Sequence, residues 1–188
     1  ADTESLPQEV GPTMLIGLDL GTSGLKGVVL STSGDVVATA RADYTTLRPE
    51  SGASEQDPRE WIHAISAVVA ELSQAVDPAT WRGIGLSAMI PTLVVTDSDF
   101  ELLHPAITWE DARADTEGER LRSQLGAVET YRRTGQWVDG RYLLPMFARL
   151  APQLDVKHAR ILSAKDWILH WLTGVCATDP ATATGSGA

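Results

Sequence analysis

The chain has 188 residues, a hydrophobic fraction of 43% and a formal net charge of −10. This length supports one domain, and a chain of this size buries about 70% of its unfolded surface on folding. The acidic balance argues against nucleic acid or an anionic membrane as a partner. The single cysteine, Cys176, excludes a disulfide framework within the chain. It favours a reducing compartment, so we expect a cytoplasmic protein whose one thiol is buried among apolar neighbours.

No apolar run reaches the ~20 residues that a membrane-spanning helix needs. Residues 1–13 are polar, acidic and interrupted by proline and glycine, which predicts a mobile N-terminal tail. Three apolar, β-prone segments separated by tight turns follow, and they predict strands over Met14–Leu20, Leu25–Leu30 and Val36–Ala40.

A helix is predicted after these three strands. Asp57 can cap its first turn, Pro58 suits the first helical position, and apolar residues recur at helical spacing from Trp61 to Leu72. Pro78 ends this segment, and Gly83–Ser87 then predicts a buried strand. The order of three strands, a helix and a further strand indicates the α/β class.

The second half of the chain predicts shorter elements. They are a hairpin of Leu93–Thr96 and Glu101–Leu103, strands over Ala106–Trp109 and Arg160–Ser163, helices over Asp111–Leu125, Leu143–Leu150 and Lys165–Leu172, and a segment over Val128–Thr134 that Gly135 ends.

The turn between the first two predicted strands has the composition of an anion-binding loop. Glycine at positions 21 and 24 is expected to allow positive φ and a close approach of the backbone to a ligand. Successive backbone N–H groups in such a turn form a concave site for an anion. Thr22, Ser23 and Lys26 add hydroxyl and ammonium donors.

Asp19 ends the first predicted strand, directly before this turn. A carboxylate beside a phosphate requires a cation between them, and Mg²⁺ held largely through water by one carboxylate satisfies this requirement. The alternative is an ordinary β-hairpin with Asp19 solvated at its rim, and the turn chemistry alone leaves both interpretations open.

A second candidate site lies in Pro105–Arg113, which reads PAITWEDAR. Trp109 offers a flat apolar face for the C–H side of a sugar, and Glu110, Asp111 and Arg113 offer polar groups for its hydroxyls. The alternative places Trp109 in the core and Asp111 at the cap of the next helix, paired with Arg113.

The segment DLGTSGLK at residues 19–26 resembles the first phosphate motif of the superfamily that contains sugar kinases, heat-shock 70 proteins and actin. In that superfamily a β-hairpin grips the nucleotide phosphates and an aspartate organises the metal. The resemblance implies a metal role for Asp19. It also implies phosphate contacts at Gly21, Thr22, Ser23 and Lys26.

The PAITWEDAR segment resembles the WNDTR-type segment of the FGGY carbohydrate kinases, and other segments match that family in the same order. These are SEQDPREW at 54–61, GLSAMIPTLVVTD at 85–97, RTG at 133–135, KDWILHWLTG at 165–174 and TDPATATG at 178–185. The resemblance implies a ribonuclease H-like, actin-like ATPase half-domain with a mixed βββαβ sheet flanked by helices. It implies sugar contacts at Met89, Ile90, Trp109, Glu110, Asp111 and Arg113.

Several positions depart from the family pattern. Residues 88–92 read AMIPT where xylulokinases usually show GQMHG, so the histidine that would contact a ketose hydroxyl is missing. Ser87-Ala88-Met89 resembles gluconokinase-like members instead. Glu110 replaces a common asparagine, and Met146 stands where a lysine is frequent. These differences affect the expected substrate rather than the class.

The resemblance implies that the full-length parent phosphorylates a sugar or polyol hydroxyl with ATP and Mg²⁺, a pentulose such as xylulose being the expected substrate. Residues 14–188 are then an incomplete N-terminal, sugar-binding domain. The catalytic base is expected beyond Ala188, and a C-terminal ATP domain is expected to complete the enzyme, so the chain alone is expected to be inactive.

Three alternatives stay open at this stage. The substrate could be of the gluconate type. The chain could be a non-catalytic sugar-binding or assembly module from a truncated paralogue. A chaperone-like or actin-like ATPase shares DLGTSGLK but should lack the two later segments, PAITWEDAR and TDPATATG. The sequence is compatible with a homodimer.

Overall fold

A computed structural model describes residues 13–186 of the chain. Over these residues the chain forms eight strands and six α-helices. The strands are β1 (Met14–Leu20), β2 (Gly24–Ser31), β3 (Val36–Asp43), β4 (Glu55–Gln56), β5 (Trp81–Ala88), β6 (Thr92–Thr96), β7 (Ala106–Thr108) and β8 (Arg160–Ser163). The helices are α1 (Pro58–Ala75), α2 (Asp115–Leu125), α3 (Ala127–Thr134), α4 (Leu143–Leu150), α5 (Ala164–Thr173) and α6 (Pro180–Thr184). The predicted tail lies, apart from Thr13, outside the described residues.

The first sheet has the strand order β3-β2-β1-β5. β1 pairs antiparallel with β2 and parallel with β5, so the sheet is mixed and the predicted βββαβ order is confirmed. The prediction that Gly83–Ser87 is a buried strand is wrong. β5 is an edge strand, and Ile84 at its centre is 52% exposed because one side of this edge has no cover within residues 13–186.

A second sheet of order β4-β7-β6-β8 stands beside the first and was not predicted as a sheet. Its central strand β6 is buried along its whole length, because Val94 packs into one hydrophobic core while Leu93 and Val95 pack into another. The predicted hairpin of Leu93–Thr96 and Glu101–Leu103 forms, since the Leu103 N–H donates to the Val95 carbonyl at 3.0 Å and the Asp97 N–H donates to the Glu101 carbonyl at 2.9 Å. Its second arm is not a regular strand, because it contributes an isolated bridge between Thr96 and Leu102.

Helix α1 covers one face of the first sheet. The Asp57 side chain accepts from the Arg59 N–H and caps the helix, as predicted. Apolar residues at helical spacing, from Trp61 to Leu72, are buried against the strands. Trp61 is fully buried and meets Trp167 of α5 edge-to-face, with ring centroids 6.1 Å apart. This contact joins α1 to the second sheet through α5.

Two smaller expectations are corrected by the structure. Helix α2 begins at Asp115, and its N-cap Ala114 has no side-chain cap, so Asp111 does not cap this helix. Cys176 is exposed rather than buried, because it lies in an irregular segment after α5.

The helix predicted over Leu143–Leu150 is found with those bounds. Between residues 13 and 186, no helix is both long enough and apolar enough to cross a membrane.

Gly27 sets how closely α1 approaches β2. A Cβ atom at this position would lie 2.3 Å from Val68 Cγ1 and 3.1 Å from Leu72 Cδ1. We expect Gly27→Ala to lower the free energy of unfolding by about 1–3 kcal/mol, because the added methyl group forces the helix away from the sheet. Urea unfolding followed by circular dichroism measures this change.

Gly83 of β5 provides the matched control. A Cβ atom there would first meet Leu15 Cδ2 at 3.8 Å, which is an ordinary van der Waals contact. Gly83→Ala should therefore shift the free energy of unfolding by no more than about 0.5 kcal/mol. Equal losses of stability in the two variants would contradict this view of the α1–β2 interface.

Candidate active site

The turn between β1 and β2 is shaped by close packing rather than by unusual dihedral angles. The expected positive φ at Gly21 and Gly24 is wrong, since neither is among the glycines with positive φ. Gly24 is required by space instead. A Cβ atom there would lie 2.6 Å from the Asp43 carboxylate and 2.8 Å from the Ala42 carbonyl.

Three successive carbonyl groups of this turn are held by neighbouring protein donors. The Tyr44 hydroxyl donates to the Gly21 carbonyl, Gln56 Nε2 donates to the Thr22 carbonyl at 2.7 Å, and the Tyr44 N–H donates to the Ser23 carbonyl at 3.5 Å. In a planar trans peptide the N–H points opposite to the C=O. The N–H groups of Thr22 and Ser23 therefore point away from these donors, as an anion-binding turn requires.

The Tyr44 phenol is well suited to hold the turn. Burial raises the pKa of Tyr44 above its usual range, and the nearby negative charge of Asp19 raises this pKa further. The hydroxyl consequently stays protonated across physiological pH and keeps its proton to donate to Gly21.

A row of polar residues crosses the first sheet at the level of the turn. Register pairs place Arg41 of β3 beside Lys26 of β2, Lys26 beside Asp19 of β1, and Asp19 beside Ser87 of β5. Paired residues share a face of the sheet with Cβ atoms about 5 Å apart. All four residues line an open groove of about 970 Å³.

The donor set of this row fits a phosphate chain with a hydrated Mg²⁺. Asp19 is exposed on the groove, and the described residues contain no group of three or more histidine, cysteine or acidic side chains able to hold a metal by themselves. Mg²⁺ with a nucleotide is commonly held by one or two carboxylates and the phosphates, with water completing its shell. Lys26 adds positive charge on the same face, and Arg41 lies beside it with its Nε donating to Asp43 at 2.7 Å.

The structure brings the Trp109 segment to this turn. The Trp109 ring is 38% exposed, so the alternative that places it in the core is wrong, and its Nε1 donates to Thr22 Oγ1 at 3.1 Å. Met89 is also close, because its N–H donates to the Leu20 carbonyl at 2.8 Å. The next residue, Ile90, is 47% exposed. Neither Trp109 nor Thr22 lines the 970 Å³ groove, so the Trp109 segment lies beside the turn and does not share one cavity with the polar row.

Glu110 is also at the surface beside Trp109. Its carboxylate accepts from Arg48 Nη2 at 3.0 Å, and both side chains are partly exposed. This pair puts one negative and one positive group next to the exposed indole.

Asp111 and Arg113 occupy a different environment from Glu110. Asp111 is 2% exposed and accepts from the Ser54 N–H at 2.8 Å and from Arg113 Nε and Nη2 at 3.0 and 2.8 Å. Arg113 also donates to Glu55 and Glu50. Burial alone would lower the pKa of Arg113, but the bonds to Asp111 and the two glutamates raise it. These contacts favour a structural role, in which the pair braces the loop that carries Trp109.

Sequence reasoning missed four residues around the turn. Arg41 and Ser87 come to the row only through strand register, and Tyr44 and Gln56 reach the turn from outside the motif. A signal existed for Gln56, because it belongs to the family-like segment SEQDPREW at 54–61.

The order of this mixed sheet, and the similarity to solved FGGY carbohydrate kinases, define the actin-like ATPase class of folds. The chain belongs to the FGGY family of carbohydrate kinases, since the model of that family's N-terminal domain matches residues 14–188.

Among curated relatives, the chain is 34% identical over 175 residues to a xylulose kinase from Staphylococcus xylosus, covering 92% of the chain and 36% of that relative. A solved gluconate kinase from Lactobacillus acidophilus superposes with a TM-score of 0.87 at 28% identity, covering 94% of this chain and 36% of that one. A xylulose kinase from Rhodospirillum rubrum gives 0.85 at 29% identity, with coverages of 93% and 37%. The chain thus spans little more than a third of the length of these relatives.

Proposed function

We propose that the full-length protein containing this chain transfers the γ-phosphoryl group of ATP to a hydroxyl of a sugar, with a pentulose such as xylulose as the preferred substrate. The observation that carries the proposal is the contact between Trp109 and Thr22. It puts an exposed aromatic face directly beside an anion-binding turn, which is the arrangement that joins a sugar to a nucleotide phosphate. Membership in a family of carbohydrate kinases supports the same activity.

In this proposal the turn and the polar row bind the phosphates. The N–H groups of Thr22 and Ser23, with the side chains of Lys26 and Arg41, donate to phosphate oxygens and stabilise the charge that spreads over them during transfer. Asp19 would hold a hydrated Mg²⁺, and the metal would supply charge neutralisation for the phosphates. Most of the lowering of the barrier would come from this positioning and charge stabilisation.

The sugar would lie on the Trp109 side of the turn. The indole face covers the C–H side of the ring or chain of the sugar, and the Glu110–Arg48 pair supplies an acceptor and donors for hydroxyls. A carboxylate at Glu110 disfavours a carboxylate on the substrate, which supports a neutral pentulose over gluconate. Met89 and Ile90 would border the same site.

A gluconate-type substrate is the second candidate. The SAM sequence at residues 87–89 and the similarity to a solved gluconate kinase favour it. Arg48 could then pair with the substrate carboxylate in place of Glu110. The two candidate substrates differ in charge, since a pentulose is neutral and gluconate carries a carboxylate, so one set of kinetic measurements separates them.

The general base and the adenosine site are proposed to come from parts of the full-length protein outside these 188 residues. Asp19 belongs to the phosphate row, and Asp111 is buried in its ion pair, so neither is assigned as the base. We therefore expect the 188-residue chain alone to show negligible turnover, because the reacting geometry needs both parts.

The test is a coupled assay of sugar-dependent ADP release by the purified full-length protein. D-xylulose, D-ribulose, gluconate and glycerol are compared at saturating Mg·ATP. We expect kcat/KM to be highest for a pentulose and at least about tenfold lower for gluconate. A reversed order would select the gluconate candidate. Absence of ADP release with every substrate, accompanied by sugar binding that ignores the nucleotide, would overturn the kinase proposal and favour a binding module.

A further inference from the structure

Thr22 is held from two directions by side chains of the second sheet. Gln56 Nε2 donates to its carbonyl at 2.7 Å, and Trp109 Nε1 donates to its hydroxyl at 3.1 Å. Gln56 lies in β4, Trp109 directly follows β7, and these strands are paired antiparallel through Gln56 and Ala106. Both contacts therefore come from one structural unit, although Thr22 lies in the turn between two strands of the first sheet.

The contact from Gln56 is permanent. Its side chain is 1% exposed, its Oε1 accepts from the buried Trp61 Nε1 at 3.0 Å, and its Nε2 also donates to Thr46 Oγ1 at 2.8 Å. A buried amide with its donors and acceptor engaged has no alternative position. Gln56 therefore fixes the backbone of Thr22 whether or not a ligand is bound.

The contact from Trp109 differs because one side of the residue is open. The ring is 38% exposed, so a ligand can cover its face while the indole N–H remains bonded to Thr22. A threonine hydroxyl that accepts one hydrogen bond still carries its own proton. The Thr22 O–H can thus donate to a phosphate oxygen while it accepts from Trp109, and hydrogen bonds in such a chain polarise each other.

We propose that Trp109 is a positioning residue for phosphoryl transfer, acting through the Thr22 hydroxyl, in addition to its contact with the sugar. A sugar stacked on the indole fixes the ring and therefore fixes the direction of its N–H. The hydrogen bond from Trp109 Nε1 to Thr22 Oγ1 then stays formed while the sugar is bound. It orients the Thr22 hydroxyl so that its proton points to the phosphate. This inference rests on the proposed function, and it assigns a link between the two halves of the site.

The test uses variants of the full-length protein. Trp109→Phe keeps an aromatic face and removes the N–H donor. We expect kcat to fall about fivefold, as for the loss of one hydrogen bond, while KM for the sugar rises less than about threefold. The kcat of Thr22→Val should fall further, because this variant also loses the hydroxyl that donates to phosphate. Thr22→Ser keeps a hydroxyl, so its kcat should lie within about twofold of the parent value.

The double variant Trp109→Phe/Thr22→Val measures the link directly. If Trp109 acts through the Thr22 hydroxyl, its replacement has no further effect on kcat once that hydroxyl is gone, so the double variant should equal Thr22→Val alone. Trp171→Phe, at a half-exposed tryptophan of α5, is the matched control and should leave kcat and KM unchanged.

The outcomes separate this inference from the proposed function. An inactive parent enzyme would overturn the proposed function and the inference together. Two results with an active parent would overturn the inference alone. One is that Trp109→Phe changes only KM. The other is that the kcat losses of Trp109→Phe and Thr22→Val multiply in the double variant. A kcat loss that is absorbed in the Thr22→Val background would support it.

Discussion

Asp19→Asn in the full-length protein is expected to lower kcat by about 100- to 1,000-fold, with KM for the sugar changed less than about threefold. Asp19 is the exposed carboxylate of the polar row, between Lys26 and Ser87. The substitution keeps the shape of the side chain and removes the charge that, in the proposed function, would hold hydrated Mg²⁺ at the phosphates. Loss of one preorganised electrostatic group at the reacting centre commonly costs a factor of this size.

Steady-state kinetics at several Mg²⁺ concentrations provide the measurement for Asp19→Asn. Asp35→Asn is the control, because Asp35 lies in the turn between β2 and β3, at the other end of β2, and its carboxylate accepts from Ser31 and Ser33. Its kcat should stay within about twofold of the parent value. A kcat for Asp19→Asn within about fivefold of the parent would contradict the metal role.

Asp111→Ala is expected to lower the free energy of unfolding by about 3–4 kcal/mol. Asp111 is 2% exposed and is bonded to Arg113 and to the Ser54 N–H. Its removal leaves both donors without this partner, and breaking a buried ion pair by deleting one member costs about 3–5 kcal/mol. Glu55 and Glu50 still face Arg113, which places the expected loss in the lower part of that range.

Urea unfolding of the chain measures this loss, and the neighbouring Glu110→Gln is the control. Glu110 pairs with Arg48 near the surface, where the Arg48 side chain is 56% exposed and that of Glu110 is 31% exposed. An exposed pair contributes about 0–1 kcal/mol, so this variant should unfold near the parent midpoint. A loss below about 1 kcal/mol for Asp111→Ala would show that the cluster does not brace the fold.

The first sheet could be predicted from the sequence because its strands are long and carry clear turn signals. β1, β2 and β3 have seven or eight residues each, and α1 has 18 residues with one apolar face. Patterns of that length identify an element reliably. The second sheet could not be predicted as a sheet, because β4 and β7 have only two and three residues and show no periodicity.

The position of Arg41 in the site could not be predicted, because it depends on the register between β2 and β3. If the β2–β3 pairing continued without irregularity from the Leu30–Val36 pair, Ala40 would lie opposite Lys26. A one-residue shift between Val29 and Leu30 moves Arg41 into that position instead. A single bulge therefore decides whether Arg41 joins Lys26 in the polar row, and nothing in the local sequence marks the bulge.

The environments of the three polar residues after Trp109 also depended on tertiary structure. Glu110 and Asp111 are adjacent carboxylates, yet one lies at the surface with Arg48 and the other is buried with Arg113. The sequence indicated a pair between Asp111 and Arg113 but not its burial, because the Ser54 N–H and Glu55 that complete the cluster come from β4 and the loop before it. Residue type alone cannot distinguish a surface carboxylate that could contact a sugar, such as Glu110, from a buried one that stabilises the loop, such as Asp111.

The most direct test is a crystal structure of the full-length protein with Mg²⁺, a non-hydrolysable ATP analogue and D-xylulose. We predict that the terminal phosphate lies within hydrogen-bond distance of the Thr22 and Ser23 N–H groups. We predict that the sugar lies on the Trp109 ring, beside the 21–24 turn. Phosphates bound away from the 21–24 turn, or a sugar bound on a surface that does not include Trp109, would contradict the account.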